Sequence, residues 1–327
     1  MPRGPRLDVP GTLHHVIFRG IEGNRIVSDD QDRNWLVDKM ARLSYTSQTS
    51  IFAWAIMDNH VHLLLKSGPD GLSRFMRKLL TSYAITYNRR HKRHGYLFQN
   101  RFKSIICQEE RYFLKLVSYI HLNPLRAGLV STFKQLDLYP WSGHTALMGN
   151  RSNQWQNCEK VLSLFGSETT QARLAYREFL ENQSRYERQP ELTGGGIKRS
   201  DGGWSEIKSR KSNLQIIVNE KLILGDVDFA NSILEHAQEH MKVRLNRENN
   251  LRHAREKVEK LCLENSISLK ILQEGAQNHA LSALRKKAAL ILVTEYSLTN
   301  ADAARLLGIS SQAVFKILKK EATGKNG

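Results

Sequence analysis

Two apolar runs separated by a short polar pair set the strongest constraint on how this chain folds. The segment Ser50–Ser67, SIFAWAIMDNHVHLLLKS, contains apolar runs on both sides of Asp58 and Asn59. Runs of this kind joined by two polar residues are typical of a β-hairpin, although Asp-Asn is weaker hairpin chemistry than Asn-Gly. The segment therefore predicts two antiparallel strands, and with them a sheet.

The segments around this hairpin predict an α+β domain. Strands are predicted within residues 11–20 and 101–108, and helices within residues 29–48, 71–93 and 109–122, the last ended by Asn123-Pro124. The order is strand, helix, hairpin, helix, strand, helix. This order fits an antiparallel or mixed sheet with helices on one face, as in ferredoxin-like folds.

Two histidines, His60 and His62, lie one residue apart in the second strand of the hairpin. Alternate residues of a strand point to the same face, so the two imidazoles project together while Val61 points the other way. Paired imidazoles are a bidentate site for a divalent metal. The alternative is that one or both histidines only cover the edge of the sheet.

Tyr119 and Asn123 are four residues apart, so they share one face of the third predicted helix. The side-chain oxygen of Asn123 is a suitable third ligand for Mg²⁺ or Mn²⁺. Tyr119 would then attack a phosphorus atom, and since a free phenol has a pKa of about 10, a metal ion on the phosphate would have to assist. Three alternatives stay open at this point. Asn123 could be a helix C-cap, and Tyr119 could be an amphipathic core tyrosine. Another tyrosine could react instead, with Tyr112 the nearest rival and Tyr83, Tyr87 and Tyr96 the others.

The charge balance favours a polyanionic partner. The chain has 49 Lys plus Arg against 32 Asp plus Glu, a formal net charge of +17. Residues 71–108 contain no Asp or Glu, and their cations alternate with aromatic residues, as in paths for single-stranded nucleic acid. The predicted contacts are Arg74, Arg77, Lys78, Arg89, Arg90, Lys92, Arg93, Arg101 and Lys103. The alternative is a solvated basic helix face.

The sequence has few features that indicate a cellular compartment. No stretch approaches the roughly 20 continuous apolar residues of a membrane span, and the first residues lack an apolar signal-peptide core. Cys107, Cys158 and Cys262 are isolated from one another, which argues against a disulfide framework or a cysteine zinc site. We therefore expect a cytoplasmic, nucleoid-associated protein with no membrane partner.

Three motifs, MDNHVHLLL, YNRRHKRHGYLFQNRFKS and YIHLNPLRAGLV, together resemble the REP-associated tyrosine transposases, a group of the single-tyrosine HUH transposases. The resemblance covers about residues 1–148. It implies that His60 and His62 hold a divalent metal, that Asn123 completes the metal site, and that Tyr119 rather than Tyr112 is the nucleophile. It also implies cleavage of single-stranded DNA at palindromic hairpins, through a 5′-phosphotyrosine link and a free 3′-OH.

The remaining chain is predicted to form two further regions. Residues 149–245 are mostly helical in pattern and contain the cluster Gly194–Gly196, which predicts a linker rather than a phosphate-binding loop. Residues 246–327 are predicted as a helical DNA-binding domain with a helix-turn-helix at 299–320, resembling the C-terminal domain of chromosomal replication initiators. Its predicted base contacts are Ser311, Gln312 and Lys316, with Arg285, Lys286 and Lys287 near phosphates. A helical pair used for packing or dimerisation is the alternative.

The sequence thus predicts a metal-dependent single-stranded DNA strand transferase with an added duplex-binding domain. Its partners would be single-stranded DNA hairpins and duplex DNA, and its oligomeric state would be a monomer or a homodimer. A DNA-binding regulator that keeps the fold without using the chemistry is the main alternative. An RNA-processing nuclease is a third hypothesis, which the predicted helix-turn-helix disfavours.

Overall fold

The computed structural model describes residues 7–186, 192, 208–209, 216–218, 221–274 and 279–323. The glycine cluster predicted as a linker lies outside these residues. The chain divides into two compact units, which we call unit 1 (Met1–Ala237) and unit 2 (Gln238–Gly327). The division into regions at residues 148 and 245 stays a prediction.

One sheet organises the described part of unit 1. Its strands are β1 (Leu13–Arg19), β2 (Ser50–Ile56), β3 (His60–Lys66), β4 (Lys103–Cys107), β5 (Lys208–Ser209), β6 (Ile216–Val218) and β7 (Lys221–Leu224), in the order β2-β3-β1-β4-β7-β6-β5. The larger helices are α1 (Asp30–Ser47), α2 (Leu72–Arg90), α3 (Glu109–His121) and α8 (Thr169–Ser184), and the short ones are α4 (Asn123–Arg126), α5 (Phe133–Leu138), α6 (His144–Leu147) and α7 (Cys158–Leu162).

The predicted hairpin is confirmed. β2 and β3 pair antiparallel, and β3 also pairs antiparallel with β1, so β3 lies inside the sheet. The α+β fold class with an antiparallel or mixed sheet is confirmed as well, since β7 joins β4 in parallel. The middle region therefore contributes strands in addition to helices, which the sequence analysis does not predict.

The helices cover both faces of the sheet, so the expectation that they lie on one face is wrong. Val61, Leu63 and Leu65 of β3 belong to a core with residues of α1 and α2. Leu64 belongs to a second core with residues of α3 and α8. β3 has buried apolar side chains on both faces, and each face has to be covered to remove those side chains from water.

Unit 2 is helical within the residues that the structure describes. Its elements are the second part of α9 (Val227–Glu264), α10 (Leu269–Gln273), α11 (His279–Thr294), α12 (Asn300–Leu307) and α13 (Ser311–Thr323). Helices lie at the two places where the helix-turn-helix is predicted. Thr299 Oγ1 accepts from the Asp302 amide at 3.1 Å and begins α12, and Gly308, with a φ of +66°, ends it. None of the described helices combines the length and apolar character that a bilayer crossing requires.

Candidate active site

The two histidines of the hairpin lie on the sheet face that is covered by α3. Their rings meet edge to face with centroids 5.0 Å apart, His62 only 3% exposed and His60 half-buried. A third histidine, His15 of β1, is fully buried and stacks on His62 with centroids 5.2 Å apart and planes 23° apart. His15 is not among the site residues predicted from the sequence. A histidine inside a predicted apolar strand was the available signal. Only the pairing of β1 with β3 shows that His15 lies beside His62.

Tyr119 lies beside these histidines. Its ring centroid is 5.7 Å from that of His62 and 5.8 Å from that of His15. The guanidinium carbon of Arg126 lies 5.8 Å from the centre of the Tyr119 ring. Tyr112, the rival on the same helix, is 3% exposed and belongs to the apolar core.

Asn123 is linked to Tyr119, but it does not lie in the same helix as predicted. Helix α3 ends at His121, and Asn123 begins the short helix α4. Pro124 explains the break, because proline fits the first turn of a helix and lacks the N–H that a continuing helix needs. The amide Nδ2 of Asn123 donates to the Tyr119 carbonyl at 2.8 Å, which leaves its side-chain oxygen available as an acceptor or ligand.

Burial keeps the histidines neutral. Burial lowers the pKa of His15 to about 4, with a smaller contribution from the charge of Lys103. Burial also lowers the pKa of His60 to about 4, assisted by the charge of Arg19, and holds the pKa of His62 well below its usual value. Neutral imidazoles at physiological pH are the form that binds metals.

Within the described part of the chain, no three His, Cys, Asp or Glu side chains are arranged to hold a metal ion. The predicted ligand set consists instead of two imidazoles and the amide of Asn123. Asn59 Oδ1 accepts from His60 Nδ1 at 2.6 Å, so the Nε2 lone pair of His60 stays free. Two imidazole nitrogens and one amide oxygen form a donor set that fits a divalent cation.

The basic residues predicted to contact DNA lie mostly on exposed positions of α2 and the loop after it. Arg77, Lys78, Arg89, Lys92, Arg101 and Lys103 are exposed, and Arg93 is half-buried. Two others are engaged in ion pairs: Arg74 Nη1 with Asp70 Oδ1 at 2.8 Å, and Arg90 with both Asp29 and Asp32.

The aromatic residues of this segment are placed differently from the expectation. Tyr83 and Tyr87 are 1% and 4% exposed, because they continue the apolar face of α2 at helical spacing and belong to the core. These two rings are therefore not open to unstacked bases. Tyr96, at 85% exposed, is available to them.

In unit 2, the predicted base contacts Ser311, Gln312 and Lys316 are exposed along α13. Arg285, predicted to lie near phosphates, is instead buried at 7% exposure and donates through Nε to the Leu272 carbonyl at 3.1 Å. Its guanidinium stabilises the packing of α10 on α11, so the expectation of a phosphate contact is wrong for this residue.

Residues 9–123 match the protein-family model described as transposase, IS200 like. The matched segment of the chain is similar to this family, which confirms the predicted resemblance to this class of transposase. The segment includes His15, His60, His62, Tyr119 and Asn123.

Two solved structures that are similar to part of this chain have low sequence identity to it. One is described as a REP-associated tyrosine transposase bound to a REP hairpin; it has 16% identity and a TM-score of 0.38, and the alignment covers 48% of this chain and 90% of that one. Another is a putative transposase from Deinococcus radiodurans R1, with 17% identity, a TM-score of 0.26, and coverage of 35% and 92%. No curated protein matches the chain.

Proposed function

We propose that this transposase-like protein cleaves and rejoins single-stranded DNA with Tyr119 as the nucleophile. The observation that carries the proposal is the convergence of the Tyr119 ring with the His60–His62 pair on one face of the sheet. His62 and Tyr119 are more than fifty positions apart in the chain and lie on different elements, β3 and α3. A tyrosine that served only the core would not need to lie half-exposed against two neutral histidines.

His60, His62 and Asn123 are the residues proposed to hold Mg²⁺ or Mn²⁺. Such an ion, when bound, would withdraw charge from the scissile phosphate and so assist attack by a weak nucleophile. The free Nε2 of His60 and the free side-chain oxygen of Asn123 are the donor atoms that favour this assignment.

The reaction proposed for Tyr119 exchanges one phosphoester bond for another. Its Oη forms a bond to phosphorus, the bond from phosphorus to O3′ breaks, and the phenolic proton passes to the released O3′. The products are a 5′-phosphotyrosine link and a free 3′-OH, which can attack in reverse and rejoin strands without an external energy source. The guanidinium of Arg126 over the ring favours the phenolate form that develops in this step.

The proposed DNA contacts are inferred from the exposed positive charges and aromatic rings. Exposed cations of α2 and the following loop are proposed to bind the phosphates of the single strand, and Tyr96 to stack on a base. The resemblance of the three sequence motifs to the REP-associated tyrosine transposases favours a hairpin-forming palindrome as the substrate class. Residues 246–327, with Ser311, Gln312 and Lys316 on α13, are proposed to bind duplex DNA.

A covalent-adduct assay tests the proposal. Protein is mixed with Mn²⁺ and single-stranded oligonucleotides from the DNA flanking its own gene, including any hairpin-forming repeats, and resolved on a denaturing gel. We expect an adduct that peptide mapping assigns to Tyr119, that Tyr119→Phe abolishes, and that Tyr112→Phe retains. Cleavage by Tyr119→Phe would refute the covalent mechanism. Tight binding of the same DNA without any adduct would support the regulator instead.

A further inference from the structure

His15 is a buried polar residue to which the proposed function gives no role. It is fully buried on β1, yet both of its ring nitrogens have partners. Nδ1 lies 2.8 Å from the Leu192 carbonyl oxygen, and Nε2 lies 2.9 Å from Nδ1 of His62. The second contact places His15 directly behind His62, one of the two histidines proposed as metal ligands.

These contacts determine where the hydrogens are. A carbonyl oxygen can only accept, so Nδ1 of His15 carries a hydrogen and donates it to Leu192. A neutral imidazole has one N–H, so Nε2 of His15 is an acceptor. His62 must then donate through its Nδ1, which leaves the lone pair on its Nε2 free for a metal ion.

His60 is held in the same way by different atoms. Asn59 Nδ2 donates to the Gly23 carbonyl at 3.1 Å, which fixes the orientation of the amide, and its Oδ1 accepts from His60 Nδ1 at 2.6 Å. Both histidines proposed as ligands therefore carry their hydrogen on Nδ1 and leave the lone pair of Nε2 free for a metal ion. Two unrelated sets of partners reach the same protonation pattern, which packing alone does not require.

We infer that His15 is a positioning residue for the metal site, which holds His62 in the Nδ1–H tautomer with its Nε2 directed to the ion. The inference rests on the proposed function. It also gives a role to part of the middle region, because the acceptor that orients His15 is the backbone of Leu192, which lies outside the 9–123 family match. Groups behind a metal ligand that fix its tautomer commonly contribute 10–100-fold to affinity.

The neighbouring residue provides a matched control. His14 is equally buried, but it points to the other side of β1 and contacts Thr12 Oγ1 at 2.7 Å and Ser104 Oγ at 3.0 Å. A change at His14 therefore removes a buried imidazole from the same strand without touching the proposed metal ligands.

The experiment measures metal binding rather than activity. The full-length protein, freed of metal with EDTA and dialysed, is titrated with Mn²⁺ by calorimetry, and the imidazole nitrogens of His62 are observed by long-range ¹H–¹⁵N NMR. We expect His15→Phe to bind Mn²⁺ roughly 10–100-fold more weakly than wild type. His14→Phe should match wild type, and His15→Gln should recover much of the loss because its amide oxygen can accept from His62. In the wild type, His62 should show the Nδ1–H tautomer before metal is added.

The outcomes distinguish failure of the positioning role from failure of the proposed function on which it rests. Failure of the wild type to bind Mn²⁺ would overturn the metal assignment, and with it the role of His15. Binding by the wild type with equal affinity in His15→Phe, or an Nε2–H tautomer at His62, would overturn the positioning role alone. If His15→Phe does not fold, the tautomer of the wild type and the affinity of His15→Gln decide.

Discussion

Gly308→Ala should destabilise unit 2, which is proposed to bind duplex DNA, while leaving the proposed strand cleavage intact. Gly308 has a φ of +66°, a conformation that costs a residue with a Cβ about 1 kcal/mol or more. The added methyl would also overlap the backbone carbonyl of Gln273, so α10 must shift. Forced backbone shifts of this kind cost about 1–3 kcal/mol. We therefore expect unit 2 to lose about 3 kcal/mol of unfolding free energy.

A loss of this size is easy to measure. For a unit of this length, it corresponds to a Tm lower by roughly 12–24 °C. All five tryptophans precede residue 238, so tryptophan fluorescence reports unit 1 and should be unchanged, whereas far-ultraviolet circular dichroism should show early melting of helices. Duplex affinity should fall together with the helices, and adduct formation with a short single strand should persist.

Gly128→Ala is the control for this variant. Gly128 has a φ of +70°, but no atom lies within 4 Å of the position its Cβ would take, so only the conformational cost of about 1 kcal/mol applies. If Gly308→Ala lowered the free energy of unfolding no more than this control, the inferred overlap with the Gln273 carbonyl of α10 would be wrong. Loss of adduct formation at a temperature where unit 2 is folded would contradict the separation of the two activities.

Three further outcomes test the site and its surroundings. His60→Ala, or EDTA added to the wild type, should abolish adduct formation, and full activity in either case would contradict the metal assignment. Changing Arg89, Lys92 and Arg93 to Gln should reduce the slope of log K against log salt for single-strand binding by about 2, since each lost phosphate contact removes about 0.7; an unchanged slope would indicate a solvated surface. The lowered pKa of His15 means that the unfolded chain takes up a proton between about pH 6.5 and 4 that the folded chain does not. His15 should therefore lower the free energy of unfolding, measured with urea in EDTA, by about 2 kcal/mol between pH 7 and pH 5. Equal free energies of unfolding at the two pH values would refute the buried, neutral state.

The parts of the fold that follow from local patterns could be predicted from the sequence. The hairpin around Asp58 and the helices α1 to α3 are local, and alternation or helical spacing is sufficient to identify them. A local pattern gives a wrong prediction where it is consistent with two different structures. Tyr83 and Tyr87 alternate with cations along the chain, yet on the helix they fall on the apolar face and pack into the core.

The partners of the site depend on long-range pairing that no local pattern contains. His15 meets His62 because β1 and β3 pair with Ile17 opposite His62, a register that is fixed only when the sheet assembles. Leu192 is 177 positions from His15 in the chain. The short strand β7 likewise forms against β4, and its four residues carry too little pattern to be recognised alone.

The pairing of β4 with β7 has a consequence for a fragment designed to contain only the proposed active site. β4 bonds to β1 on one side, and Ile106 and Cys107 pair with Ile223 and Leu224 on the other. A fragment that stops near residue 148 would leave this second side open as a row of unpaired N–H and C=O groups on an apolar strand, a template on which a second copy can add. Such a fragment should aggregate as its concentration rises, whereas one that extends through residue 237 brings its own strand to occupy the edge.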